Sequence, residues 1–143
     1  MTAAEAQGAG EAAFVLALEV RDYELDLQGI VNNANYLHYY EHARHAFIRS
    51  RGLDFAALHA EGVDPVVYRA EIDYREPLSS GDAFRVEVRA RLEGRLRIVF
   101  EERILRAGGR EASSARFVVA LVKAGRPIPP PPEVLARLGL GAS

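Results

Sequence analysis

The sequence predicts an α+β domain in which one long helix lies along the concave face of a curved, antiparallel five-stranded sheet. Three observations carry that expectation: a single stretch of helical spacing between Tyr36 and Ile48, several runs that alternate with period two, and turn signals at short intervals between those runs. Alternation leaves the sheet one face to bury, and a single amphipathic helix has about the length to cover it.

Phe14, Leu16, Leu18 and Val20 fall on one face of the first strand, opposite Ala17, Glu19 and Arg21. The pattern breaks at Gln28-Gly29. Asn32-Asn33-Ala34-Asn35 then supplies side chains that can cap a helix by accepting its free backbone N–H bonds. Tyr36, Leu37, Tyr40, Ala43, Phe47 and Ile48 recur at spacings of three and four as one apolar stripe, with His38, Glu41, His42, His45 and Arg49 on other faces. Gly52 is placed to end the helix in a left-handed cap. A helical turn is expected at Phe55 to His59.

Strands then resume. Tyr68, Ala70, Ile72 and Tyr74 alternate with charged residues up to Pro77, and Ser79-Ser80-Gly81-Asp82 forms a turn. Phe84, Val86, Val88, Ala90 and Leu92 share a face, and Glu93-Gly94 turns the chain into Leu96, Ile98 and Phe100. After Gly108-Gly109 the last strand, about Ser113 to Val122, is apolar on both faces near its end, which suits a central or interface position. The four strands after the helix are expected in hairpin succession. Pro127 to Pro132 should be extended as polyproline II, with a short helix opening at Pro132-Glu133 and ending before Gly139. The organisation expected is a disordered tail at 1–12, one domain at 13–126, and a Pro-rich extension with a short helix at 127–143.

Composition excludes several function classes. The chain has 143 residues, no Cys and a formal charge of -2, so disulfides, thiolate metal sites and Cys nucleophiles are absent and no global positive field exists to hold nucleic acid. The longest apolar runs, Phe14 to Leu18 and Phe117 to Val122, fall far short of the roughly 20 residues of a membrane span. The first twelve residues hold Glu5 and Glu11 and no Lys or Arg, unlike a signal or transit peptide, so a cytoplasmic protein is expected. There is no Gly-x-Ser-x-Gly elbow and no Gly-rich phosphate loop.

Residues that could carry chemistry concentrate between Arg21 and Tyr36. Asp26 precedes a Gly turn and a helix N-terminus, two things that attack on a carbonyl needs. The carboxylate can act as nucleophile or as general base for water, and free N–H groups in the first helical turn can hold the developing oxyanion. The plainer reading is that Asp26 caps its own turn and Gly29 supplies a positive φ. Asp22 and Glu24, which flank Tyr23 at the end of the first strand, are alternatives to Asp26 as the base but are expected as solvent-exposed strand-end acids, and Asp73 is a further carboxylate of interest. Glu41 reads as an ion-pair partner of Arg44 or His45. His38, His42 and His45 share one helical face, a geometry compatible with metal, although no acidic ligand joins that stripe.

The full string Asp26-x-x-Gly29-Ile-Val-Asn-Asn-Ala-Asn-Tyr36, leading into Tyr39-Tyr40-Glu41-His42-Ala43-Arg44, resembles the signature of hotdog-fold thioesterases of the 4-hydroxybenzoyl-CoA thioesterase type. Val20 to Gly52 is similar to plant acyl-lipid thioesterases. The resemblance implies a hotdog fold that hydrolyses an acyl-CoA or acyl-carrier-protein thioester to free acid and thiol, with no metal or redox cofactor. It implies Asp26 as the catalytic carboxylate and the Asn33 backbone N–H as the group polarising the carbonyl. Gly29, Val31, Asn32, Tyr36, Tyr40 and Glu41 are the expected substrate contacts. It further implies a homo-oligomer, dimer or tetramer, with clefts between subunits. A non-catalytic acyl-binding or carrier-docking module and a hotdog dehydratase are the alternatives. Arg85, Arg89, Arg91, Arg95 and Arg97 form a basic cluster that suits coenzyme A phosphates or an acidic carrier, or else a solvated outer sheet face.

Overall fold

A computed structural model describes residues 13–140, and the tail expected at 1–12 lies outside them. The order is β1 (Phe14–Glu19), a 3-10 turn (Asp22–Glu24), α1 (Asn33–Ser50), α2 (Phe55–Ala60), β2 (Val63–Tyr74), β3 (Ala83–Glu93), β4 (Arg97–Arg106), β5 (Glu111–Lys123), β6 (Arg126–Ile128) and α3 (Pro132–Arg137). The fold class is the one expected: a long helix against a single antiparallel sheet.

The sheet runs β1-β3-β4-β5-β2, with β6 paired to the end of β5. This corrects the expected hairpin succession. Only β3, β4 and β5 follow one another as neighbours; β2 crosses to the far edge and pairs with β5, while β3 joins β1. Alternation fixes which face a strand buries but not which strand lies beside it. The expected polyproline segment is also partly sheet. The β5–β6 turn places Ala124 at φ 52 and Gly125 at φ 78, the left-handed pair of a tight two-residue hairpin, and Arg126–Ile128 folds back on Leu121–Lys123.

Register aligns the concave face in rungs. One reads Phe14, Val88, Glu102, Ala115, Ile72, and the next Leu16, Val86, Ile104, Ser113, Tyr74. α1 lies across them. Phe47 packs on Phe14 and Phe100, Tyr39 on Phe84, and Tyr40 on Phe117. Burying Phe47 alone contributes roughly 1.5–3 kcal/mol. The stripe differs from expectation at three positions: Leu37 is 45% exposed, whereas Tyr39 and Arg44 are buried. Both exceptions have polar partners inside, Glu24 for Tyr39 and Glu102 for Arg44.

α1 sits toward the β1 side of the sheet, so the inner face of β2 is left uncovered. Val67 and Tyr74 point inward yet remain 43% and 47% exposed. The result is a groove between α1 and β2. Its end near Ile48 is closed by α2 and by α3, whose Val134 and Leu138 join the same apolar core as α1.

Candidate active site

The segment from Leu25 to Val31 forms a miniature hairpin. Leu25 pairs with Val31, the Asp26 N–H donates to the Ile30 carbonyl at 2.8 Å, and Gly29 turns the chain at φ 79. The hairpin is pinned to the sheet by Val31 N–H to Leu78 O and by pairing of Ile30 with Ser79. Asp26 Oδ1 accepts the Gln28 N–H at 2.8 Å and the Ile30 N–H at 3.4 Å, so the turn-capping reading of this residue is realised. Oδ2 accepts from no described group.

α1 starts directly after the hairpin. Asn32 is its N-cap, with the side chain accepting the Ala34 N–H at 2.8 Å, and the Asn35 N–H donates to the Asn32 carbonyl. The Asn33 N–H donates to no described group, and it stands at the positive end of an 18-residue helix dipole. Beside it, the Tyr74 hydroxyl donates to the Asn33 carbonyl at 3.4 Å and its ring meets Tyr36 edge-on at 5.0 Å.

Glu24 anchors this corner from below. It is buried, accepts hydrogen bonds from the Arg21 N–H, the Arg21 guanidinium and the Tyr39 hydroxyl, and its carbonyl accepts from Asn32 N–H and the Asn35 side chain. Burial by itself would raise the carboxyl pKa, but the bonds from Arg21 and Tyr39 outweigh it and hold Glu24 below the ordinary carboxylate range. The expectation of an exposed strand-end acid is corrected: residues 22–24 form a 3-10 turn that swings Glu24 inward while Tyr23 stays outside. Asp22 bonds Ser80, and Asp73 lies on the exposed side of β2.

Farther along α1 lies a cavity of about 390 Å³ lined largely by apolar side chains of α1, α2, β2, β4, β5 and α3, with Glu41, Arg44 and His45 as its polar members. Asp26 and Asn33 do not line this cavity; at their end of α1, Tyr74 of β2 touches the helix through its hydroxyl and ring.

The expected contact residues divide by depth. Glu41 lines the cavity and is exposed; among the described residues it makes no salt bridge to Arg44 or His45, although burial lowers the His45 pKa and the Glu41 charge acts against that. Asn32 and Gly29 are exposed. Val31 and Tyr36 are buried supports of the hairpin and helix head. Tyr40 has no exposed surface, and its hydroxyl donates to Ser113 Oγ at 2.6 Å, so it packs in the core. The three histidines do not act as one face: His38 and His42 line a cleft beside β1, whereas His45 packs edge-on against Phe55 at the cavity. The Arg cluster lies on the convex face, where Arg91 pairs with Glu93 and Glu101, and Arg97 with Glu93. Sequence reasoning missed Arg44 and Glu102 as a buried pair, although each is a lone charge at a core position of its own pattern.

Comparison with known proteins shows the family and the fold. A protein of Aquifex aeolicus bearing an esterase name is 33% identical over 127 residues, covering 85% of this chain and 94% of that one. The chloroplastic acyl-acyl carrier protein thioesterase ATL3 of Arabidopsis thaliana is 37% identical over 94 residues, covering 66% of this chain and 50% of that protein, so this chain spans about half the plant relative. The crystal structure of Slr0204, a 1,4-dihydroxy-2-naphthoyl-CoA thioesterase from Synechocystis, superposes with a TM-score of 0.84 at 18% identity over 89% of this chain and 96% of that one, which establishes a shared hotdog fold. Residues 20–138, which hold the hairpin, the helix, the groove and its closing helices, match a family as a unit: the chain belongs to the Thioesterase-like superfamily.

Proposed function

We propose that the protein hydrolyses acyl thioesters of coenzyme A or acyl carrier protein, with the reacting carbonyl held at the head of the α1–β2 groove. The observation that carries this is the Asn33 N–H at the start of α1, which donates to no described group and comes directly after the hairpin that bears Asp26. The amide donates to the thioester oxygen and strengthens that bond as negative charge develops. Asp26 supplies the attacking oxygen, its own Oδ2 or that of a water it deprotonates. Addition to the carbonyl carbon gives a tetrahedral oxyanion, whose collapse expels the thiolate. Where water attacks, the thiolate takes the proton that Asp26 removed. Where Asp26 attacks, water then cleaves the resulting mixed anhydride to the free acid and the Asp26 carboxylate, and the remaining proton goes to the thiolate.

The groove receives the acyl chain. Its open side supports a homo-oligomer in which a second copy covers it, because β2 is an edge strand with Val66, Val67 and Tyr68 exposed. The names of relatives favour both carriers: one is an acyl-acyl carrier protein thioesterase, and another, from Escherichia coli, is an acyl-CoA thioester hydrolase.

The test is thiol release from a panel of acyl-CoA and acyl-carrier-protein substrates by wild type and Asp26→Asn. Loss of kcat by about 100-fold or more with binding retained is expected. Equal turnover in the two proteins removes Asp26 from the chemistry. Consumption of 3-hydroxyacyl substrates without thiol release assigns the fold to dehydration instead.

A further inference from the structure

The cavity at the end of the groove is apolar except at one wall, and that wall holds a cation. Arg44 is 6% exposed, yet its guanidinium is only partly engaged. One face stacks over Phe117, with the guanidinium carbon 4.5 Å from the ring centroid, and Nη1 donates to Glu102 Oε2 at 3.0 Å. Arg44 makes no other hydrogen bond to a described residue, although a guanidinium carries five N–H donors. The residue lines the cavity, so the donors not facing Glu102 are directed to its space.

Placing this pair in the core is costly. Glu102 sits in the central rung of the concave face, 1% exposed, and its Oε1 has no hydrogen-bond partner. A buried ion pair with an orphaned oxygen contributes little net stability, and apolar side chains of similar size often serve as well. A ligand that accepts from Arg44 gives the pair a use beyond packing.

The geometry points to a substrate whose acyl chain carries a neutral oxygen near its far end, accepted by the Arg44 guanidinium inside the cavity; this rests on the thioesterase reading above. Neutrality follows from the charges at hand. Glu102 stands 3.0 Å from Arg44 and Glu41 lies at the same cavity wall, so a terminal carboxylate is admitted only while Glu102 keeps a proton, whereas a neutral oxygen accepts from Arg44 in either state of Glu102. Length follows from the helix. Arg44 lies eleven residues after Asn33, roughly 16 Å along the axis, and its side chain leans back toward the helix start, which suits a chain of medium length.

The experiment compares wild-type kcat/KM for octanoyl-, decanoyl- and dodecanoyl-CoA with their ω-hydroxy and ω-carboxy counterparts. Calorimetry of the corresponding free acids runs in parallel. A preference of about tenfold or more for an ω-hydroxy chain over its plain partner, mostly in KM and repeated in binding of the acid, is expected at one length. Plain chains preferred at every length, or ω-carboxy chains preferred to ω-hydroxy, overturn the inference. The double variant Arg44→Met/Glu102→Gln removes the cation without stranding a carboxylate. It should bring the ratio of ω-hydroxy to plain kcat/KM down to about one; retention of the preference also overturns the assignment. Should the variant fail to fold, the wild-type ratios and the calorimetry decide alone. If no thioester is hydrolysed, the enzymatic reading fails, while hydroxy-acid binding still decides the role of Arg44.

Discussion

Glu24 is a carboxylate enclosed by protein that nevertheless stays charged, because three donors converge on it. Its folded pKa lies below the unfolded value, so its contribution is present above the ordinary carboxylate pKa and is lost as pH falls through the depressed one. Glu24→Gln should cost about 1–3 kcal/mol at neutral pH. The gap to wild type should close on acidification, as read by urea unfolding across a pH series; a gap independent of pH contradicts the ionised role. Glu102 has the opposite sign. Burial pushes its carboxyl up to about 8 against the pull of Arg44, so its ionisation opposes folding as pH rises toward that value. Neither role was legible from composition. Glu24 follows an alternating strand and reads as its exposed end, because nothing local announces a 3-10 turn. The Arg44–Glu102 pair did leave a trace: a cation at the i+4 step between Tyr40 and Ile48, and an anion between Phe100 and Ile104 in a period-two run. Two opposite charges at core positions of different elements are the sequence sign of a buried pair.

At the scale of elements, α1 depends on its cap. Asn32 both closes the first turn and fixes the direction of the adjacent Asn33 N–H, so one substitution reports on stability and chemistry together. Asn32→Ala should lower stability by about 1 kcal/mol. It should also reduce kcat more than it raises KM, checked by thermal melts beside steady-state kinetics; an unchanged melt with unchanged kcat refutes the coupling. The helix, its asparagine cap and the β3–β4 hairpin were readable because local periodicity and turn chemistry determine them. β2 was not read in full. It begins at Val63 rather than Tyr68, since Val63–Val67 lacks alternation and contains Pro65, which an edge strand tolerates. The candidate site was legible as a string but not as a surface. The sequence placed Asp26 and Asn33 on a turn and a helix head, whereas the burial of Tyr40 and the leaning of His45 toward Phe55 depend on where α1 rests on the sheet.

For the molecule as a whole, the decisive feature is the lateral offset of α1. It leaves the inner face of β2 uncovered beside the free edge that the strand order gives this strand, and the proposed homo-oligomer would cover both. Wild type should sediment as a dimer or larger assembly, and Val66→Lys/Tyr68→Lys should shift it toward monomer with a loss of thioester turnover. A wild-type monomer of full activity refutes this. The convex face behaves differently. There Arg91, Arg103 and Arg116 alternate with Glu87, Glu93 and Glu101, a mixed-sign lattice that gives neither a polyanion nor a polycation a continuous hold.

The four consecutive prolines from Pro129 to Pro132 carry α3 across the blind end of the cavity, where Val134 and Leu138 form its stopper. On the proposed reading, the depth available to an acyl chain is set by this Pro-rich extension, remote from Asp26 and Asn33. Smaller or bulkier side chains at those two sites can reset which chains fit while the hydrolytic corner stays as it is. On that reading, selectivity and reactivity are mounted on separate pieces of the polypeptide, so each is free to drift without disturbing the other.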